Sequence, residues 1–195
     1  MRILIRVVLW TWFLAALIGG QLGLLGRLSA PAVQGIFFGL TALLITLCLG
    51  VGVIRTWIKT IDLRALVLLH VSRFVAYSLL VLYRRGELPA AFAIPAGWGE
   101  IVVAGLALLV VVLPLSESVR HRACVIWNTV GLVDILLIVA AASRLGFSQP
   151  WRFHAWRVLP FSILPTFLVP LIIVTHVIIY VRLSTPAADS NRAAA

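Results

Sequence analysis

Acidic residues are scarce in this 195-residue sequence, which contains six acids and one lysine against fifteen arginines. Six acids leave little room for a site in which several carboxylates hold a divalent cation. The two cysteines, Cys48 and Cys124, lack a CxxC spacing, which argues against a disulfide framework and a zinc site. A phosphate-binding glycine loop, HExxH and GxSxG are also missing. These absences disfavour an enzyme and single out no catalytic residue.

Apolar residues dominate what is present. They make up 63% of the chain, charged residues make up 11%, and the mean hydropathy is +1.13. A soluble domain is roughly 45 to 50% apolar, so the composition predicts a membrane protein surrounded by a lipid bilayer. The net charge of +10 comes from basic residues that lie mainly between the apolar runs. Lipid phosphates and membrane topology account for that placement, and a nucleic-acid partner is not predicted.

Six apolar runs have about the 20 residues that a helix needs to cross the bilayer. The prediction is an all-α, polytopic transmembrane helical bundle over residues 1–183, followed by a disordered tail over residues 184–195. The predicted spans are Ile3 to Leu25, Pro31 to Ile54, Leu63 to Tyr83, Gly97 to Leu115, Val125 to Ser143, and Val158 to Leu183. Nine basic residues fall on the side of the termini and six on the other, which favours cytoplasmic termini.

Arg73 lies in the middle of the third predicted span, one helical turn after His70 and one before Tyr77. A charge at this depth costs roughly 2.5 to 3.5 kcal/mol, so a partner inside the bundle is expected. Asp134 of the fifth span lies at a matching depth of about 14 to 15 Å, and Asn128 can extend the same polar lining. Two interpretations are open. The pair is either a static clamp that fixes helix register, or part of a proton or substrate path in which Asp134 titrates.

Two histidines also match in depth. His70 and His176 lie about seven residues from the terminal side of the third and sixth spans. Neutral imidazoles on two helices can ligate a haem b axially, so haem is one candidate cofactor. A hydrogen-bonding role for each histidine is the alternative.

The segment from Arg84 to Glu100 is apolar where a loop is normally polar, and its two prolines disfavour a continuous helix. Glu100 is therefore expected in the first turn of the fourth span, where the helix dipole favours a carboxylate. Either it pairs with Arg84, Arg85 or Arg157, or it gates the mouth of an intramembrane cavity.

Three prolines interrupt the sixth span at positions 160, 165 and 170. Each removes a backbone donor, so that helix is expected to be kinked or broken. The freed carbonyls can coordinate an ion or substrate, or neighbouring groups such as the Thr166 hydroxyl can satisfy them.

A resemblance rests on two stretches of the central third of the chain. They are Gly86-Glu87-Leu88-Pro89 continuing to Pro95-Ala96-Gly97-Trp98-Gly99-Glu100, and Trp127-Asn128-Thr129-Val130-Gly131-Leu132-Val133-Asp134. These stretches resemble a group of small bacterial multi-pass membrane proteins for which no activity is established. The resemblance implies a bacterial inner membrane and supplies no catalytic residues.

Three functions remain open from the sequence. The first is transport or permeation of a small solute or protons through the polar interior. The second is membrane electron transfer through haem held by His70 and His176. The third is a non-catalytic accessory or scaffold subunit, with a homo-oligomer or a larger membrane complex as its setting.

Overall fold

The computed structural model describes residues 2–149, 156–157 and 159–184. Every regular element in these ranges is helical, which confirms the predicted all-α class. The α-helices are α1 (Arg2–Gln21), α2 (Ala30–Gly50), α3 (Gly52–Ile58), α4 (Leu63–Leu69), α5 (Tyr77–Arg84), α6 (Ala90–Val112), α7 (Glu117–Ser148) and α8 (Val169–Leu183). Residues 185–195 of the predicted tail lie outside the described residues.

Six helical stretches within the described ranges are long and apolar enough to cross a membrane, and six spans were predicted. They are Ile3–Gln21, Ala30–Gly50, Leu63–Arg84, Ala90–Val112, Glu117–Ser148 and Leu164–Leu183. The fifth, at 32 residues, is about 48 Å long and exceeds the roughly 30 Å of bilayer hydrocarbon. It must therefore tilt or project beyond the hydrocarbon. Val158, the predicted start of the sixth span, lies outside the described residues.

The fourth span begins at Ala90, seven residues before the predicted start at Gly97. Pro89 occupies the position before the first helical turn with extended backbone angles, where its missing N–H breaks no helical bond. Pro95 is accommodated inside the helix. Glu100 is consequently about 15 Å from the start of the helix rather than in its first turn.

The third span is not a continuous α-helix. A 3₁₀ segment, His70–Ala76, separates α4 from α5 in the middle of the apolar stretch. Runs of 3₁₀ helix longer than three or four residues are uncommon, and a stretch inside a helix often marks a hinge. Residues three apart align on such a segment, and His70, Arg73 and Ala76 are all buried.

The sixth span opens with a π-helical segment, Leu164–Leu168, before α8. Pro170 has no N–H to offer the Thr166 carbonyl four residues earlier. The indole Nε1 of Trp12 in α1 donates to that carbonyl at 2.8 Å. A neighbouring helix thus satisfies this carbonyl, which is the alternative to its coordinating an ion or substrate.

Two apolar clusters enclose the centre of the bundle. The first lies on the side of the termini and contains Ile58, Val67, Ala107, Cys124 and Ile179 among its buried members. We call it the terminal apolar cluster.

The second lies on the opposite side and includes Leu79, Leu82, Leu88 and Phe92. We call it the opposite apolar cluster. The buried polar side chains of the third, fourth, fifth and sixth spans lie between the two.

Candidate functional site

Arg73 is the centre of the buried polar cluster, and its side chain is 0% exposed. Its Nε donates to Glu100 Oε2 at 2.6 Å, and its Nη2 donates to Glu100 Oε1 at 3.0 Å. The same Nη2 donates to Asp134 Oδ2 at 2.7 Å. Nη1 donates to the Gly131 carbonyl at 3.0 Å and to His176 Nε2 at 3.1 Å. A guanidinium has five N–H donors, so all five have an acceptor.

Gly131 permits this arrangement on α7. A Cβ atom at this position would lie 2.8 Å from His176 Cε1 and 3.2 Å from Arg73 Nη1. Any larger residue would therefore push the imidazole and guanidinium away from the helix backbone. Glycine lets the helices approach closely enough for the Gly131 carbonyl to accept a hydrogen bond from Arg73.

The partners of His176 determine which of its nitrogens carries the proton. Arginine only donates, so Nε2 of His176 must accept and the neutral ring carries its proton on Nδ1. That Nδ1 lies 2.8 Å from Asn128 Oδ1 and donates to it. The Asn128 amide nitrogen donates to the His176 carbonyl at 3.1 Å. Side chain and backbone of His176 are thus held by one residue of α7.

His70 lies beside the cluster without a hydrogen bond to Arg73. Its ring centroid is 4.2 Å from that of His176, and its Nε2 is 3.2 Å from Thr175 Oγ1. The Thr175 hydroxyl donates to backbone carbonyls of α8, so it accepts from His70. His70 Nδ1 is then a buried acceptor that meets no hydrogen-bonding partner among the described residues.

One guanidinium faces two carboxyl groups in this cluster. Both carboxylates ionised would leave an excess negative charge inside the bundle, whereas one shared proton makes the group neutral. The side chain of Glu100 is 7% exposed and that of Asp134 is 21% exposed. Asp134 therefore lies at the edge of the cluster, and its carboxyl is the more accessible of the two from outside the bundle.

The structure brings together four of the residues that the sequence singled out: Arg73, Asp134, Asn128 and Glu100. It adds His176, for which the sequence left haem ligation and a hydrogen-bonding role open. Tyr77 does not belong to this group, because the residue is 58% exposed. The prediction assumed an α-helix, in which residues four positions apart share a face. Arg73 lies instead in a 3₁₀ segment with three residues per turn, so Tyr77 lies on a different face from Arg73.

Glu100 has a partner that the sequence did not indicate. The expected partners were Arg84, Arg85 and Arg157, yet the bidentate ion pair forms with Arg73. The earlier helix start places Glu100 at the depth of Arg73, which removes it from the arginines at the membrane surface.

Axial haem ligation does not fit the arrangement of the two histidines. A porphyrin bound axially by two imidazoles lies between their rings. The rings of His70 and His176 are in contact with centroids 4.2 Å apart, and both nitrogens of His176 are hydrogen-bonded. The described residues leave no space for the macrocycle between them.

A family model described as Domain of unknown function (DUF8737) matches residues 30–184. The chain belongs to this family. The DUF8737 match contains Arg73, Glu100, Asp134 and His176, and it omits α1. No curated protein and no solved structure matches the chain.

Proposed function

We propose that this DUF8737 protein is a multi-pass protein of a bacterial inner membrane, with cytoplasmic termini, that moves protons or a small solute. In this proposal the arginine cluster, Arg73 with Glu100, Asp134 and His176, takes up and releases one proton during each transport event. The observation that carries the proposal is the pairing of two carboxyl groups with one guanidinium at the centre of a membrane bundle. Ionisable groups at this depth commonly belong to ion or proton pathways.

Asp134 is the group that exchanges the proton in this proposal. Its side chain is the more exposed of the two carboxyls, while one oxygen is bound to Arg73. Glu100 is held by two hydrogen bonds from the guanidinium and is nearly enclosed. A proton on Asp134 therefore weakens one of the three contacts between Arg73 and the carboxyls and leaves the bidentate pair in place.

Movement across the membrane also requires the bundle to rearrange. The terminal apolar cluster and the opposite apolar cluster close the polar centre on both sides. The 3₁₀ segment of the third span contains Arg73, and the π-helical segment opens the sixth span about 12 to 18 Å from His176. Such departures from α-helix geometry often mark hinges or functional sites, and we assign the opening motion to them.

The test is proton flux into liposomes that contain the purified protein and a pH-sensitive dye. Asp134→Asn keeps the size of the side chain but cannot exchange a proton, so flux is expected to fall to the protein-free level. The matched control is Glu117→Gln, which neutralises an exposed carboxyl in the first turn of the same helix and should leave flux unchanged. Equal flux for Asp134→Asn and the wild type would refute the proposal.

A structural role as an accessory subunit is the second candidate. It is favoured by the complete satisfaction of the five Arg73 donors, since a static clamp needs no vacant donor. Gly35 and Gly39 also leave an exposed small-residue face on α2, which suits contact with another helix. A wild-type protein that carries no proton or solute flux, but co-purifies with a membrane partner, would favour this candidate.

A further inference from the structure

A cavity of about 110 Å³ lies between α2, α7 and the π-helical segment of the sixth span. It is separate from the arginine cluster, and its walls are almost entirely apolar. Val33 and Phe37 contribute from α2, Ile138 and Val139 from α7, and Pro165 from the π-helical segment. An apolar cavity of roughly 150 Å³ can hold benzene, so this one has room for a short length of hydrocarbon.

The cavity runs along the bundle from the end opposite the termini. Its lining extends from Ala30 to Phe37 on α2, which corresponds to about 10 Å of helix. On α7 it extends from Gly146 back to Ile138, or about 12 Å. The two helices thus give a similar depth, from the membrane surface into the hydrocarbon region.

The polar side chains of Gln34, Ser143 and Arg157 line this cavity. The Gln34 amide is engaged, because its Nε2 donates to the Ser143 carbonyl at 3.1 Å. Arg157 lines the mouth, and its Nη1 donates to the Leu28 carbonyl at 3.3 Å. Among the described residues no carboxylate forms an ion pair with Arg157. Its positive charge is therefore available to an anion at the level of the lipid headgroups.

We propose that the cavity binds one acyl chain of an anionic phospholipid, with the lipid phosphate at Arg157. The apolar walls exclude a polar solute, and the depth matches part of an acyl chain that enters from the membrane surface. The arginine provides a charged, multidentate donor for a phosphate. The combination distinguishes an anionic lipid from a zwitterionic one with the same chains.

The test uses the full chain, purified in detergent and depleted of lipid. Phosphatidylglycerol and phosphatidylcholine with identical acyl chains are titrated separately, and bound lipid is counted by native mass spectrometry. We expect phosphatidylglycerol to bind at an about fivefold lower concentration, as one basic residue near anionic lipid implies. Arg157→Gln should abolish this preference. Arg144 is an exposed arginine near the cavity-lining end of α7, and Arg144→Gln should retain the preference for phosphatidylglycerol.

Two further variants fill the cavity from different helices. Ala142→Leu adds volume from α7 and Val33→Phe adds it from α2, and either should reduce binding of both lipids. Wild-type lipid binding by a folded filling variant would overturn the proposal. So would an equal loss of preference in Arg144→Gln and Arg157→Gln, since that result indicates diffuse surface charge.

A final experiment tests whether binding requires the acyl chain or only the phosphate group. Inorganic phosphate is added in place of lipid, and thermal unfolding is followed by tryptophan fluorescence. Stabilisation by phosphate equal to that by phosphatidylglycerol would also overturn the assignment of an acyl chain. Arg157→Gln adds no volume, so the decision does not depend on the folding of either filling variant.

Discussion

Replacement of Arg73 by glutamine should strongly destabilise the bundle. The substitution removes three charge-assisted contacts to Glu100 and Asp134, together with the hydrogen bonds to Gly131 and His176. Contacts to charged groups contribute about 1.5 to 3 kcal/mol each, but protonation of the abandoned carboxyls limits the loss. Breaking a buried ion pair by removing one partner typically costs about 3 to 5 kcal/mol, and we expect a loss in that range.

The assay is reversible unfolding of the purified protein by titration with a denaturing detergent, followed by helical circular dichroism. Arg64→Gln is the matched control, because Arg64 lies in the first turn of the same span and is exposed. It should change the free energy of unfolding by no more than about 0.5 kcal/mol.

A triple variant tests the cause of the loss. Arg73→Gln combined with Glu100→Gln and Asp134→Asn contains no uncompensated charge, so it should regain most of the lost stability. A loss below about 1 kcal/mol in Arg73→Gln would refute the reasoning. A triple variant no more stable than the single one would do so as well.

Three further outcomes follow from the same geometry. Gly131→Ala should lower the free energy of unfolding by about 1 to 3 kcal/mol, since the added methyl collides with His176, whereas Gly35→Ala, which faces open space, should be nearly neutral. Tyr77→Phe should leave both proton flux and stability within error of the wild type, and a loss of flux would return Tyr77 to the pathway. A dithionite-reduced minus oxidised spectrum of protein from haem-replete cells should show no haem b band, and a band lost on substitution of His176 would contradict the contact between the imidazole rings.

Hydropathy was sufficient to predict the number of spans, because length and apolar character alone define a bilayer-crossing helix. Depth matching placed Arg73 and Asp134 at the same level, and the structure joins them at 2.7 Å. This step needs only the rise per residue of each helix, which varies little with sequence.

Helix phase and helix boundaries were harder to predict. Tyr77 was misplaced because no pattern in the sequence signals that His70–Ala76 winds as a 3₁₀ segment. Glu100 was misplaced because Pro89 and Pro95 look alike in sequence, although one precedes the helix and the other lies inside it. Pro89 as the residue before a helix start was the available signal.

The role of His176 depends on three helices at once. Its contacts with Arg73 and Asn128 follow from the approach of α7 and α8, which Gly131 permits. A local pattern contains no information about that distance, so the sequence could not decide between haem ligation and hydrogen bonding for His176.

The 3₁₀ segment of the third span is wound more tightly than the α-helices on either side of it. Each of its seven residues advances by about 2.0 Å and 120°, whereas an α-helical residue advances by about 1.5 Å and 100°. Rewinding the whole segment as α-helix would shorten the span by about 3.5 Å and turn α5 relative to α4 by about 140°. Arg73 lies at the midpoint of the 3₁₀ segment. Rewinding the segment as α-helix would therefore rotate the Arg73 side chain about the helix axis and away from both carboxyls.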